Sequence, residues 1–151
     1  MAADASRPCL GHCDGELPGG LECVFAKALL ARSARCTLAG HEMVAERTRV
    51  TCGSPVAQTN CGTLAALLHE RARFALHLPP PGRPLMHMHA LRLQCGGLAA
   101  LQQVLASQDP DVHALVCQAH EQGASLTDLP WDRLVVALVA WQPRRRQAPP
   151  P

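Results

Sequence analysis

The stretch TNCGTLAALLHERARFAL, residues 59–76, decides the predicted fold class. Its apolar residues recur every three or four positions, as they do on one face of a helix. They are Leu64, Leu67, Leu68, Ala72 and Ala75. Thr59 and Asn60 are both good N-cap residues, so a helix is predicted to begin after them and to end near Leu76. Aromatic residues make up only 3% of the chain, so the core must consist of Leu, Val and Ala, which favours a mostly α-helical protein.

Before this helix, the pattern is less regular. A first helix is predicted from about Pro18 or Gly20 to Arg35, because apolar residues again recur at helical spacing. Residues 41–52 have no convincing period, and we expect a short helix followed by an extended piece. Residues 52–60 are predicted to form a turn, since Gly53 and the Ser54-Pro55 pair are typical of turns.

After it, prolines and glycines divide the chain into further short helices. The prolines between 78 and 84 predict a stiff extended connection. Helices are then predicted over about 84–94, 97–107, 111–122 and 130–141, with Gly96-Gly97 as an interruption and Gly123 as a stop. The expected architecture is one domain, 1–143, of five or six short helices joined by Pro/Gly-rich loops. It includes an irregular arm, 1–18, and is followed by a disordered Arg/Pro tail, 144–151.

Charge and hydropathy exclude several classes of protein. The formal net charge is +2, too small and too scattered for a nucleic-acid-binding surface. The N-terminal residues carry acidic side chains and no apolar segment of a secretory signal. The longest apolar run, 134–141, is far shorter than the roughly 20 residues that cross a bilayer. We therefore expect a soluble cytoplasmic protein, in which most cysteines are reduced.

The eight cysteines fall into two groups according to their predicted surroundings. Three are expected within helices or at helix ends, where a thiol is usually a small buried hydrophobe: Cys23, Cys36 and Cys117. Five are expected in loops or first helical turns, next to Gly or Pro: Cys9, Cys13, Cys52, Cys61 and Cys95. Glycine lets the backbone approach a bulky group, and a helix N-terminus stabilises a thiolate. The second group is therefore predicted to be the functional one.

Four thiolates brought together are the usual ligands of an iron–sulfur cluster. The predicted ligands are Cys13, Cys52, Cys61 and Cys95, with Cys9 in reserve, and the predicted cofactor is a four-iron cluster. Zinc is the second choice, because its structural sites normally use closely spaced cysteine pairs. Cys9 and Cys13 form the one close pair of this chain, and the gap from Cys52 to Cys61 is too long for the usual zinc-ligand loop. The predicted function is electron transfer, redox sensing or assembly of a redox system, with another redox or assembly protein as partner.

Two other functions stay open, and neither depends on a metal. The protein is either a cofactor-free helical interaction module with buried cysteines, or a thiol-dependent enzyme or sensor. The latter would use Cys61 as the nucleophile, with His12, His41 or His69 as a possible base. An enzyme is the less favoured of these, because no acid–base pair or phosphate loop is visible.

Two short histidine motifs have simpler interpretations than metal binding. MHMH at 86–89 contains copper-ligand types but is better explained by packing or surface exposure. His41-Glu42 lacks the second histidine of the zinc-protease motif, since that position is Ala45.

Overall fold

The computed structural model describes residues 20–123 and 125–143. The strands are Leu21–Glu22 (β1), Ala39–Val44 (β2) and Arg47–Cys52 (β3). The helices are Ala26–Leu30 (α1), Pro55–Ala72 (α2), His87–Leu91 (α3), Gly97–Val104 (α4), Val112–Gln122 (α5) and Trp131–Ala140 (α6). A π-helical turn, Arg92–Gly96, joins α3 to α4, and a 3-10 turn, Leu126–Asp128, precedes α6. The predicted mostly helical class is confirmed, while the predicted arm and tail lie outside the described residues.

The small sheet was not predicted from the sequence. Its strands are antiparallel in the order β1-β3-β2, and β2 and β3 form a hairpin in which Val44 pairs with Arg47. Ala45 adopts a positive φ of 56° in the connection, a conformation that the sequence gives no reason to expect from alanine. The helix predicted at the start of 41–52 is therefore wrong, because β2 occupies that part of the chain. The extended piece predicted after it is β3, in which β-branched residues and the buried Val50 favour a strand.

The predicted first helix is much shorter in the structure. The backbone N–H of Cys23 donates to the carbonyl of Val50 at 2.9 Å, so the residues before α1 extend the sheet. The helix ends early because Arg32, at φ 57°, takes the left-handed position after it. Arg32 N–H donates to the Leu29 carbonyl and Ser33 N–H to the Ala28 carbonyl, the two bonds of a Schellman motif.

The helix that decides the fold class begins earlier than predicted. Ser54, in extended conformation, is its N-cap and accepts a hydrogen bond from Ala57 N–H at 3.2 Å. Pro55 follows at the first helical position, where its fixed φ is favourable. The turn predicted over 52–60 is therefore wrong over most of its length, and Thr59 is a helix residue whose hydroxyl donates to the Pro55 carbonyl.

Substituting the N-cap residue Ser54 tests whether α2 begins at this position. We expect Ser54→Ala to lower the free energy of unfolding by about 1 kcal/mol, because the substitution removes the hydroxyl that accepts from Ala57 N–H at a buried position. Thr59→Ala is the matched control and should change the free energy by less than about 0.5 kcal/mol, since an exposed mid-helix threonine does not cap. Urea denaturation of both variants measures the difference. Equal losses would contradict the observed helix start.

Gly96 and Gly97 do not interrupt the chain's helical course. A Cβ at Gly96 would lie 3.2 Å from Cβ of Trp141, and one at Gly97 would lie 2.7 Å from Cδ1 of Leu68. The two glycines therefore let α6 and α2 pack closely against the π turn and α4. The interruption predicted at these glycines from local propensity is wrong, because the chain stays helical through both of them. Close packing explains why glycine occupies the two positions.

The last two predicted helices are present, and the helices share one hydrophobic core. Asp111 caps α5 and Gly123 follows its end. The largest fully buried side chains of the core include Phe25, Leu64, Leu101, Leu115, Leu134 and Leu138. Within 20–123 and 125–143, no helix has the length and hydropathy needed to cross a bilayer.

Candidate functional site

Four cysteines line one small cavity between the sheet, α2 and the start of α5. They are Cys23, Cys36, Cys52 and Cys61, and the cavity has a volume of about 20 Å³. The rest of its wall is mainly apolar: Val24, Phe25, Leu38, Ala57, Gln58, Val112 and His113. The four sulfurs are free thiols, and each comes from a different segment of the chain. We call this arrangement the four-thiol cavity.

The sheet and α2 hold two of these cysteines. Cys52 ends β3, where it pairs with Leu21 on one side and Ala39 on the other. Its thiol donates to the Ser54 carbonyl at 3.3 Å. Cys61 lies on the inner side of α2, one turn after Ala57 in the same cavity wall. The early start of α2 therefore places Cys61 well inside the helix.

Cys23 and Cys36 occupy similar local turns. The backbone N–H of the residue two positions later, Phe25 for Cys23 and Leu38 for Cys36, acts to lower the pKa of each thiol against the effect of burial. Such N–H groups stabilise a thiolate, and hydrogen bonds to sulfur are common around metal–thiolate centres. The two cysteines that sequence reasoning set aside as packing residues thus have nearby backbone N–H groups that favour their thiolates.

The start of α5 fixes the segment that carries Cys36. Arg35 N–H donates to the Pro110 carbonyl and Val112 N–H to the Arg35 carbonyl, at 3.2 and 2.8 Å. The Asp111 carboxylate accepts from Thr37 N–H at 3.1 Å. Arg35 also forms an ion pair with Asp109 at 2.9 Å. The segment 35–37 is therefore bonded on both sides of Cys36.

Burial favours the protonated form of three thiols in the cavity, those of Cys23, Cys36 and Cys61. It raises the pKa of Cys61 to about 12, with smaller contributions from Cys36, Cys23 and Cys52. It also raises the pKa of Cys23 to about 11 and that of Cys36, against the effect of the backbone donors. Negative charge on a neighbouring sulfur would add to the raised pKa of each of these three thiols.

The expected activation of Cys61 is therefore wrong. A thiolate stabilised by a helix N-terminus requires a position in the first turn, whereas Cys61 is the seventh residue of α2. Its raised pKa makes it a poor nucleophile at neutral pH. The histidine in the cavity wall is His113, not one of the three considered as a base: His41 is on exposed β2, His69 bonds the Pro79 carbonyl, and His12 lies outside the described residues.

The structure brings together only part of the predicted ligand set. Cys52 and Cys61 share the four-thiol cavity, but Cys95 is 2% exposed within the hydrophobic core and does not line it. Cys13 and the reserve Cys9 lie outside the described residues. Sequence reasoning missed Cys23 and Cys36 because it placed both in or at a helix that the structure shortens.

The remaining metal-ligand types do not form a ready-made ion site. Met86 and Met88 are 67% and 55% exposed, and His87 Nδ1 lies 3.4 Å from Lys27 Nζ. In the part of the chain that the structure describes, no three side chains of His, Cys, Asp or Glu are positioned to hold a metal ion as they stand. Compared with known proteins, the chain matches no family model, no curated protein and no solved structure.

Proposed function

We propose that the protein binds an iron–sulfur cluster through Cys23, Cys36, Cys52 and Cys61. The observation that carries the proposal is the convergence of four thiols from four chain segments on one cavity. Buried cysteines used only as packing residues need no common meeting point, and they need no backbone donors at their sulfurs. Four cysteine sulfurs are the standard ligand set of two-iron and four-iron clusters, and we propose the four-iron form.

The spacing of the four cysteines supports a cluster over zinc. They are separated by 12, 15 and 8 residues, whereas structural zinc sites usually take ligands in pairs two to four residues apart. Clusters tolerate wide spacing because the fold, rather than a short loop, brings the ligands together. Zinc remains the second candidate metal.

Loading would change both the protonation and the shape of the cavity. Metal ligation requires thiolates, so binding must displace the protons that burial now retains on Cys23, Cys36 and Cys61. A cavity of about 20 Å³ has room for about one water molecule. The walls must therefore move apart to admit a cluster, and the cluster would then tie the sheet to α2 and α5.

A cluster with four protein ligands is suited to electron transfer, redox sensing or the assembly of a redox system. All its irons would be ligated by the protein, which leaves no open position for a substrate. The partner would then be a redox or assembly protein. A cofactor-free helical module is the second candidate function, favoured by the small volume of the cavity.

Anaerobic purification and chemical reconstitution test the proposal. We expect a brown protein with about four iron and about four acid-labile sulfide per chain. Metal analysis that finds about one zinc and no sulfide would replace the cluster with a zinc site. A colourless protein without iron, sulfide or zinc after reconstitution would favour the cofactor-free module.

A further inference from the structure

A second cavity, which we call the apolar cavity, lies next to the four-thiol cavity, between α2, α3 and the π turn. Its volume is about 270 Å³, and Phe25 lines both cavities. Apolar side chains form most of its wall, including Leu68, Leu85 and Leu93. None of the described residues in the wall is Asp, Glu, Lys or Arg, and the polar ones are His69 and Gln94. A mainly apolar cavity with a few polar groups is typical of a small-molecule site.

The Gln94 side chain uses its oxygen but not its nitrogen. Oε1 accepts from the backbone N–H of Ala28 at 3.2 Å, in the first turn of α1, where Phe25 provides no side-chain cap. Ala28 is 0% exposed, so this N–H needs the acceptor. The amide nitrogen Nε2 makes no hydrogen bond to any residue that the structure describes. Gln94 therefore adds an unused donor to the cavity wall.

The His69 ring likewise uses one nitrogen and leaves the other. Its Nε2 lies 3.0 Å from the Pro79 carbonyl oxygen. A carbonyl can only accept, so Nε2 carries the proton and Nδ1 of the neutral ring is an acceptor. Nδ1 makes no hydrogen bond within the described part of the chain. Neither this atom nor Gln94 Nε2 is sealed in the core, where the unpaired side-chain atoms are His89 Nδ1, Arg92 Nε and His120 Nε2.

Both polar side chains are held in place before any ligand arrives. Gln94 bonds α1 from the π turn, and His69 bonds the proline-rich connection after α2. Side chains that are already fixed lose less conformational entropy on binding. Gln94 also lies within the π turn Arg92–Gly96, and such turns are rare and frequently occur at functional sites.

The geometry points to a binding site for a compact, uncharged apolar molecule with a carboxamide, whose oxygen accepts from Gln94 and whose N–H donates to His69. A charged group would meet no opposite charge in this wall, and its burial without one is strongly unfavourable. The volume suits a single-ring compound, since a cavity of about 150 Å³ already holds benzene. The site uses none of the four cysteines, so it goes beyond the proposed function and does not depend on it.

Titration with three probes of nearly the same shape tests the chemistry of the site. Full-length, iron-free protein is titrated with benzamide, acetophenone and benzoate, and methyl NMR spectra report where each probe binds. Benzamide donates and accepts, acetophenone only accepts, and benzoate is an anion that only accepts. We expect benzamide to shift the methyl signals of Leu85 and Leu93. It should bind about ten-fold more tightly than acetophenone, which leaves the His69 acceptor unpaired, and benzoate should bind most weakly.

The larger groove between α4 and α6 provides an internal control. It has a volume of about 690 Å³ and is lined by Val136 and Ala137 together with the charged Asp132 and Arg133. Benzamide shifts confined to Val136 and Ala137, equal affinities for benzamide and acetophenone, or no benzamide binding would each overturn the inference. Because the titrated protein contains no iron, these results are separate from the iron analysis that tests the proposed function.

Gln94→Glu removes the donor without removing the bond to α1. A carboxylate still accepts from Ala28 N–H but cannot donate to a ligand, so benzamide affinity should fall by about ten-fold or more. The benzamidinium cation has the shape of benzamide but only donors, and it should bind this variant more tightly than the wild-type protein. Weaker benzamide binding without a gain for benzamidinium would indicate a structural effect and contradict the role given to Gln94.

Filling the cavity gives a second variant that leaves both polar side chains in place. Ala90 lines the apolar cavity, so Ala90→Leu should weaken benzamide binding by about ten-fold or more, because the added methyl groups occupy space that the probe needs. Ala99→Leu is the matched control, since Ala99 lines the larger groove instead, and it should leave the affinity unchanged. Equal effects of the two substitutions would contradict the location of the site.

Discussion

Alanine substitution of any one of Cys23, Cys36, Cys52 or Cys61 is expected to lower iron uptake by about ten-fold or more. Each residue would supply one of four ligands, and a cluster held by three cysteines is open to solvent and oxidant. Alanine is the right replacement, because a serine hydroxyl can take the place of a thiolate on iron. Iron, sulfide and the visible absorption of anaerobically reconstituted protein measure the effect.

Cys95→Ala is the matched control, since it also removes one thiol. Cys95 is 2% exposed in the core, so its loss should reduce stability by about 1 kcal/mol or more while iron content stays at the wild-type level. The double variant Cys9→Ala and Cys13→Ala should also retain iron. Loss of iron in Cys95→Ala or the double variant, with retention in Cys23→Ala and Cys36→Ala, would favour the ligand set predicted from sequence.

Phe25→Ala is expected to cost about 3–5 kcal/mol of unfolding free energy, the typical range for truncating a buried phenylalanine. Phe25 is 1% exposed and lines both the four-thiol cavity and a neighbouring apolar cavity of about 270 Å³. Its removal would join two spaces that other side chains cannot fill without moving the helices. A loss of this size is a large share of the roughly 5–15 kcal/mol that stabilises a typical domain.

The other phenylalanine of the chain provides the control. Phe74 is 83% exposed, so Phe74→Ala should change the unfolding free energy by less than about 0.5 kcal/mol. Urea denaturation of cluster-free protein compares the two variants without interference from metal. Similar losses in both variants would mean that Phe25 does not belong to the core as described.

Hydrophobic period predicted the long helices and placed both ends of α5 and α6 to within one residue, but it did not predict the start of α2. The apolar stripe of α2 includes Leu64, Leu67 and Leu68, all buried as expected. The ends of α1, α2 and α4 escaped prediction because they depend on positions that carry no glycine. His77 and Ala106, like Arg32, adopt positive φ at the point where helical hydrogen bonding stops, and surrounding packing must offset a cost of about 1 kcal/mol at each.

The cysteines show the same limit for the candidate site. The glycines and predicted loops next to them identified Cys52 and Cys61 as candidates, and the structure brings these two cysteines together. The same reasoning failed for Cys23 and Cys36, because the residues around them have helical spacing. In the structure, the hydrogen bond between Cys23 and Val50 and the bonds from the start of α5 create turns there. Glycines beside Cys95 suggested a ligand loop, but they serve helix packing against Leu68 and Trp141.

The sequence by itself determined that the protein is mostly helical and that it is rich in cysteine. Both follow from properties that survive without tertiary contacts: the spacing of apolar residues and the kinds of side chain present. Only the tertiary structure decided which thiols meet. Which thiols meet depends on strand pairing and on contacts at helix starts, both of which join residues far apart in the chain. These contacts stabilise one another cooperatively, so the local sequence around each cysteine does not reveal them.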